Sequence, residues 1–152
     1  MDFNLNKDNP LFKQHVITCG RHVILRQEEV EPSPIWLARS VISISDTEAE
    51  EVAMRDCFWG CNGVLYLMFA DDDASFTDIH ARQIYDHVYK HHHDNFLVHC
   101  FLGCSRSVAV AKWMVEYLGV DDLELTEIKS FNHHVYNTLV EHQKLRQDAQ
   151  CV

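Results

Sequence analysis

The stretch from residue 97 to residue 107 reads Leu97-Val98-His99-Cys100-Phe101-Leu102-Gly103-Cys104-Ser105-Arg106-Ser107. Its apolar start predicts a short strand, and the run from Ser105 to Leu118 predicts a helix that ends at Gly119. A tight loop lies between them, and Gly103 supplies the backbone freedom that a sharp curl needs. The loop therefore lies at the carboxyl end of a strand, where α/β proteins present their ligand sites.

The residue types in this loop suit an attack on a phosphate. A curled loop at a helix N-terminus points backbone N–H groups at one centre, and Arg106 can donate two parallel hydrogen bonds to phosphate oxygens. We expect the helix N-terminus and Arg106 to lower the pKa of the Cys100 thiol, so that its thiolate is an in-line nucleophile. Ser107 is placed to bond the sulfur as it leaves, and His99 to orient the loop through its ring nitrogens.

The rest of the chain predicts a single α/β domain, residues 1–152, with a largely parallel sheet. Strands and helices alternate along the sequence, which is typical of this class. The first 30 residues form a segment that the pattern does not place, apart from a short apolar run. Strands are predicted at 22–25, 41–45, 64–69 and 96–99, with residues 35–38 as a helical turn or a loop. Helices are predicted at 46–54, 77–92, 105–118, 123–129 and 133–145.

Composition restricts the class of partner and the compartment. The 152 residues carry 13 Lys and Arg against 23 Asp and Glu, a formal net charge of −10, which disfavours binding to nucleic acid. We find no secretory signal and no apolar run of the ~20 residues that a membrane span needs. The six cysteines are then best explained as reduced thiols, and we expect a cytoplasmic protein with no membrane partner.

The stretch Val98–Ser107 resembles the active-site loop of the cysteine-dependent protein tyrosine phosphatases, in their dual-specificity branch. The strand Val41–Asp46 is similar to an early core strand of the compact bacterial and phage members. The resemblance implies an α/β fold with a central, mostly parallel sheet of four to five strands flanked by helices. It also implies hydrolysis of phosphotyrosine in proteins, extending to phosphoserine and phosphothreonine, through a phosphocysteine intermediate and with no metal or organic cofactor. The substrate-binding residues are then Phe101, Leu102, Gly103, Cys104, Ser105 and Arg106.

The same resemblance implies an aspartate general acid about thirty residues before the nucleophile. Asp71, Asp72 and Asp73 all lie at such a distance. In the predicted strand, Leu67 and Phe69 share one face at the strand period of two, and Asp71 continues that face. We therefore assign the general acid to Asp71, with Asp72 as the next choice. The chain lacks the Trp-Pro pair that precedes this Asp in the large tyrosine-specific members, so the substrate preference stays open.

Other functions remain as alternatives. A phosphatase of RNA 5′ ends or of phosphoinositides fits less well, because the loop is uncharged at Phe101, Leu102 and Cys104 and the chain is acidic. A catalytically silent pseudo-phosphatase that binds phosphoproteins is a second alternative. A redox or arsenate-reducing enzyme is a third, since Cys104 lies close to Cys100. His80, His87 and His91 fall on one predicted helix, but we interpret them as a solvated face and expect no metal site. The sequence does not indicate an oligomeric state.

Overall fold

The computed structural model describes residues 15–25, 38–55, 57–58, 60–119, 121–122 and 130–150. The strands in these ranges are β1 (His15–Gly20), β2 (Ser40–Ser45), β3 (Gly63–Met68), β4 (Phe96–Cys100) and β5 (Asp121–Asp122). The helices are α1 (Arg21–Leu25), α2 (Glu48–Arg55), α3 (Asp78–Lys90), α4 (Arg106–Leu118) and α5 (His133–Gln150).

The strands form one sheet in the order β3-β2-β4-β1-β5, and every neighbouring pair is parallel. Gly20 at the end of β1 pairs in register with Cys100 at the end of β4. Because all the strands run the same way, their carboxyl ends lie at one edge of the sheet. The segments that follow β1, β2, β3 and β4 therefore meet there, around the loop after Cys100.

The sheet is buried on both faces, as parallel sheets usually are. Neighbouring residues of one strand, such as Leu97 and Val98, belong to different core clusters. The larger cluster lies between the sheet and helices α3, α4 and α5, and it includes Trp113, which is fully buried. The smaller cluster packs Ile24 of α1 and Met54 of α2 against the other face.

The α/β class and the parallel sheet of four to five strands are confirmed. The predicted strand over 22–25 is wrong, because residues 21–25 form α1 and the strand precedes them at 15–20. The predicted helix over 123–129 and residues 35–37 lie outside the described residues. Within the described ranges, the helices are too short or too polar for any of them to cross a membrane.

Candidate active site

The loop from Phe101 to Ser105, called here the phosphate loop, rests directly on the end of β1. Gly103 has φ 78°, a left-handed conformation that favours glycine. A Cβ atom there would lie 2.3 Å from the carbonyl carbon of Cys19 and 2.4 Å from the nitrogen of Gly20. The backbone N–H of Arg21 donates to the carbonyl oxygen of Phe101 at 3.1 Å. Only glycine can lie this close to the β1 backbone, so the end of β1 supports the curled conformation of the phosphate loop.

Cys100 lies at the base of the phosphate loop and is only 2% exposed. Its Sγ accepts a hydrogen bond from the backbone N–H of Gly103 at 3.2 Å and lies 3.2 Å from Oγ of Ser107. Burial raises the pKa of this thiol, but hydrogen bonds from Ser107, Gly103 and Ser105 outweigh it, so that the pKa lies below its ordinary value. The lowering thus comes chiefly from hydrogen bonds to the sulfur.

Arg106 is buried at the first position of α4 and is held by two other segments at the same sheet edge. Its Nη1 donates to Oδ1 of Asp46 at 2.6 Å and to the carbonyl oxygen of Phe69 at 2.8 Å, and its Nη2 lies 3.3 Å from Oδ2 of Asp46. Nε of Arg106 is also buried, yet it has no hydrogen-bond partner among the described residues. The guanidinium is therefore fixed in orientation while one of its donors stays unsatisfied.

The turn Asp71–Ser75, called here the acid loop, lies against the phosphate loop. Asp71 Oδ1 accepts hydrogen bonds from Ser105 Oγ and from Asn132 Nδ2, both at 2.8 Å. Asp72 instead closes the turn, because its Oδ1 accepts from the backbone N–H groups of Ala74 and Ser75 and its Oδ2 from the Ser75 hydroxyl.

These bonds distinguish the two carboxyls as candidate acids. Hydrogen bonds from the Ser75 side chain, then from the backbone of Ser75 and Ala74, lower the pKa of Asp72 to about 2. Such a carboxyl is ionised near neutral pH and has no proton to donate to a leaving group. Asp71 makes the contact with the phosphate loop, and it is the better candidate of the two.

His99 is buried behind the site, at the end of β4. Its Nε2 lies 2.6 Å from Oγ of Ser43 on the neighbouring strand β2. Burial lowers the pKa of His99 to about 4, so the ring is neutral at physiological pH. The ring is too deeply buried to meet a substrate at the surface, which is consistent with a supporting position.

The rim of the site combines apolar and charged side chains. Phe101 is 46% and Leu102 66% exposed, and Cys104 is exposed as well. The guanidinium of Arg21 lies over the Phe101 ring, 5.6 Å from its centroid, and pairs with Glu50 of α2 at 3.4 Å. A half-exposed aromatic ring with a guanidinium over it thus lies at the start of the phosphate loop.

Asp46 and Asn132 are site residues that the sequence analysis missed. The sequence places Asp46 only at the junction of a predicted strand and a predicted helix. In the structure, Thr47 caps α2 with Glu50, and the Asp46 carboxylate binds Arg106. The signal was available, since Asp46 directly follows a strand that ends at the same sheet edge as Cys100. No local pattern marks Asn132, because its partners lie in loops distant in sequence.

The interpretation of His80, His87 and His91 as a solvated face is wrong, because these side chains, on α3 and at its C-cap, are partly buried. His87 and His91 are partly buried, with ring centroids 4.8 Å apart, against the start of β3 at Gly63. Nδ1 of His80 accepts a hydrogen bond from the backbone N–H of Thr77 and so completes the capping box of α3. Within the described residues, no group of three or more His, Cys, Asp or Glu side chains is arranged to hold a metal ion.

No protein-family model and no curated protein match the sequence. Solved structures do resemble it. The human tyrosine phosphatase-like serine/threonine/tyrosine-interacting protein is 14% identical, with a TM-score of 0.54 over 87% of this chain and 93% of that chain. The PTP-2 phosphatase of Cydia pomonella is 17% identical, with a TM-score of 0.55 over 84% of this chain and 85% of that chain. The chain therefore has the fold of the protein tyrosine phosphatases.

Proposed function

We propose that the protein hydrolyses phosphate monoesters on proteins through a phosphocysteine intermediate. The observation that carries this proposal is the pairing of two groups at the two ends of the phosphate loop. One is a buried thiol whose pKa is lowered by hydrogen bonds, and the other is a buried guanidinium with an unsatisfied Nε–H. A bound phosphate would accept that hydrogen bond, and it would bring its phosphorus in front of the sulfur.

The reaction follows in two displacements. The Cys100 thiolate attacks phosphorus, the bond to the substrate oxygen breaks, and Asp71 gives that oxygen its proton. Water then attacks the phosphocysteine, the Asp71 carboxylate takes a proton from the water, and the S–P bond breaks to release phosphate and restore the thiolate. Arg106 holds the phosphate oxygens in both steps, and the Ser107 hydroxyl stabilises the sulfur as it leaves.

The rim supports an aromatic phosphate ester on a protein as the substrate class. The half-exposed Phe101 ring at the start of the phosphate loop can pack against the ring of phosphotyrosine, and Leu102 adds apolar surface. The loop itself carries no lysine, and the net charge of −10 repels polyanions such as RNA. We therefore rank phosphotyrosine peptides, with phosphoserine and phosphothreonine peptides behind them, above RNA 5′ ends and phosphoinositides.

The test compares one substrate panel on the purified protein: phosphotyrosine, phosphoserine and phosphothreonine peptides, a 5′-triphosphate RNA and a phosphoinositide. We expect the highest kcat/KM on a phosphotyrosine peptide. A higher value on the RNA or the lipid would overturn the ranking. No turnover of any substrate, together with tight phosphopeptide binding, would instead favour the pseudo-phosphatase.

Two variants test the roles of the loop residues. Cys100→Ser should abolish turnover of an aryl phosphate and leave vanadate binding measurable, because the cradle survives without the nucleophile. Arg106→Lys should be nearly as damaging, since a lysine cannot reproduce the guanidinium fork. Turnover close to wild type in either variant contradicts the mechanism.

A further inference from the structure

Asn132 joins three separate parts of the candidate site, although it lies in neither loop. Its Nδ2 donates to Oδ1 of Asp71 at 2.8 Å and to the carbonyl oxygen of Asp72 at 2.9 Å. Its backbone N–H donates to the carbonyl oxygen of Ser105 at 3.2 Å. Its Oδ1 accepts from the backbone N–H of Val135 at 3.0 Å, which caps the start of α5.

These contacts give Asn132 a different task from that of Asp72. Asp72 forms the turn of the acid loop internally, through bonds to residues only two and three positions ahead. Asn132 attaches this finished turn to the rest of the protein, across a sequence distance of about sixty residues. An exposed turn that is otherwise tied to the phosphate loop by the Ser105 hydroxyl depends on this amide for its position.

The hydrogen bonds also decide which oxygen of Asp71 can carry a proton. Oδ1 already accepts from two donors, the Ser105 hydroxyl and the Asn132 amide. A protonated carboxyl has one oxygen that accepts and one that donates. The proton of Asp71 then resides on Oδ2, the oxygen that both donors leave unengaged.

We infer that Asn132 is the positioning residue of the general acid: it holds the acid loop against the phosphate loop and directs the proton of Asp71 to Oδ2. This inference rests on the proposed function, because it assigns a role within the same reaction. Asn132 acts through Asp71 and touches no substrate. Its loss should therefore slow only the steps that need proton transfer to or from Asp71.

The matched variants are Asn132→Ser and Asn137→Ser. Serine at 132 still caps α5 but is too short to reach both acid-loop oxygens, so capping is separated from positioning. Asn137 lies on the exposed face of the same helix and reports the effect of the substitution alone. Asparagine and serine are similarly good N-caps, which applies to position 132, and have similar helix propensities, which applies to position 137, so neither change should alter the unfolding temperature by much.

The assay compares p-nitrophenyl phosphate, whose leaving group needs little protonation, with phenyl phosphate, whose leaving group needs it. Loss of a positioned acid costs ~10²–10⁴ in rate, and misplacing it should cost part of that. We expect Asn132→Ser to lower kcat roughly tenfold or more on phenyl phosphate and to change it little on p-nitrophenyl phosphate. Asn137→Ser should match wild type on both. In an Asp71→Asn background, Asn132→Ser should add nothing, because the group it positions is gone.

Two kinetic outcomes overturn the inference: an equal loss on both phosphates, or a full additional loss in the Asp71→Asn background. Amide hydrogen exchange gives a readout that does not depend on turnover, since residues 71–75 should exchange faster in Asn132→Ser than in Asn137→Ser. Unchanged exchange there would also overturn it. If the wild-type protein turns over neither phosphate while residues 71–75 still exchange faster in Asn132→Ser than in Asn137→Ser, the proposed function is refuted, and the attachment of the acid loop by Asn132 stands.

Discussion

The contact between Asp46 and Arg106 allows a quantitative prediction. Asp46→Ala removes the 2.6 Å bond to Nη1 and the longer 3.3 Å contact to Nη2, while the Phe69 carbonyl still holds Nη1. A hydrogen bond to a charged group contributes about 1.5–3 kcal/mol. The Asp46 side chain is 38% exposed, so solvent screening places the loss near the lower end. At ~1.4 kcal/mol per factor of ten, we expect kcat/KM to fall roughly tenfold.

The assay is steady-state turnover of a phosphotyrosine peptide, with two companion variants. Asp46→Asn keeps an oxygen acceptor for the shorter bond and should lose less than Asp46→Ala. Glu48→Ala removes the same charge from an exposed position at the start of α2 and should leave kcat/KM unchanged. Wild-type kcat/KM in Asp46→Ala, or an equal loss in Glu48→Ala, would show that orientation of Arg106 by this carboxylate does not matter.

Three further predictions concern the phosphate loop and its support. Gly103→Ala should lower kcat about a hundredfold or more, because its Cβ would overlap the β1 backbone and displace the phosphate loop. Gly60→Ala is the control, since Gly60 also has a positive φ but has open space around it, and it should keep full activity. His99 has a folded-state pKa of about 4 because it is buried, against about 6.5 in the unfolded chain. The stability that neutral His99 contributes is therefore complete above about pH 6.5 and is lost as the pH falls toward 4. A urea midpoint that stays constant across this window would contradict the lowered pKa of His99. The exposed Cys104 thiol is placed to form a disulfide with Cys100 once Cys100 is oxidised to a sulfenic acid. After treatment with dilute peroxide, dithiothreitol should therefore restore activity in the native protein and much less in Cys104→Ser. Equal recovery, with no Cys100–Cys104 peptide by mass spectrometry, would exclude this disulfide.

The parts of the site that could be predicted are those that one short segment contains. Cys100, Arg106 and Ser107 lie within eight consecutive residues, so the local pattern of strand, loop and helix already places them close together. The order of the strands is a different matter, because pairing depends on contacts between distant segments. The apolar run at 23–25 satisfies both a strand and a short buried helix, and its periodicity cannot distinguish them.

Side chains with two plausible partners were the hardest to predict. Asp46 satisfies the sequence rule for a helix cap, and only the fold reveals that Thr47 takes that role and leaves Asp46 to an arginine 60 positions away. His87 and His91 repeat with the helical period, which defines a face of α3 without revealing that the start of β3 covers it. In each case the local pattern was correct, and the long-range partner was absent from it.

The support of the phosphate loop by β1 has a consequence for how the protein is made. β1 emerges from the ribosome long before β4, since His15 and its partner Asn95 are 80 residues apart. Until β4 is synthesised, the edge of β1 that pairs with β4 has no partner there. The phosphate loop can pack on the Cys19–Gly20 backbone only after β1 and β4 have paired. Pairing over so long a separation is slow compared with helix formation. Activity should therefore return late in refolding, after the helical signal has recovered, and a chain that began after residue 25 would form helices without a working loop.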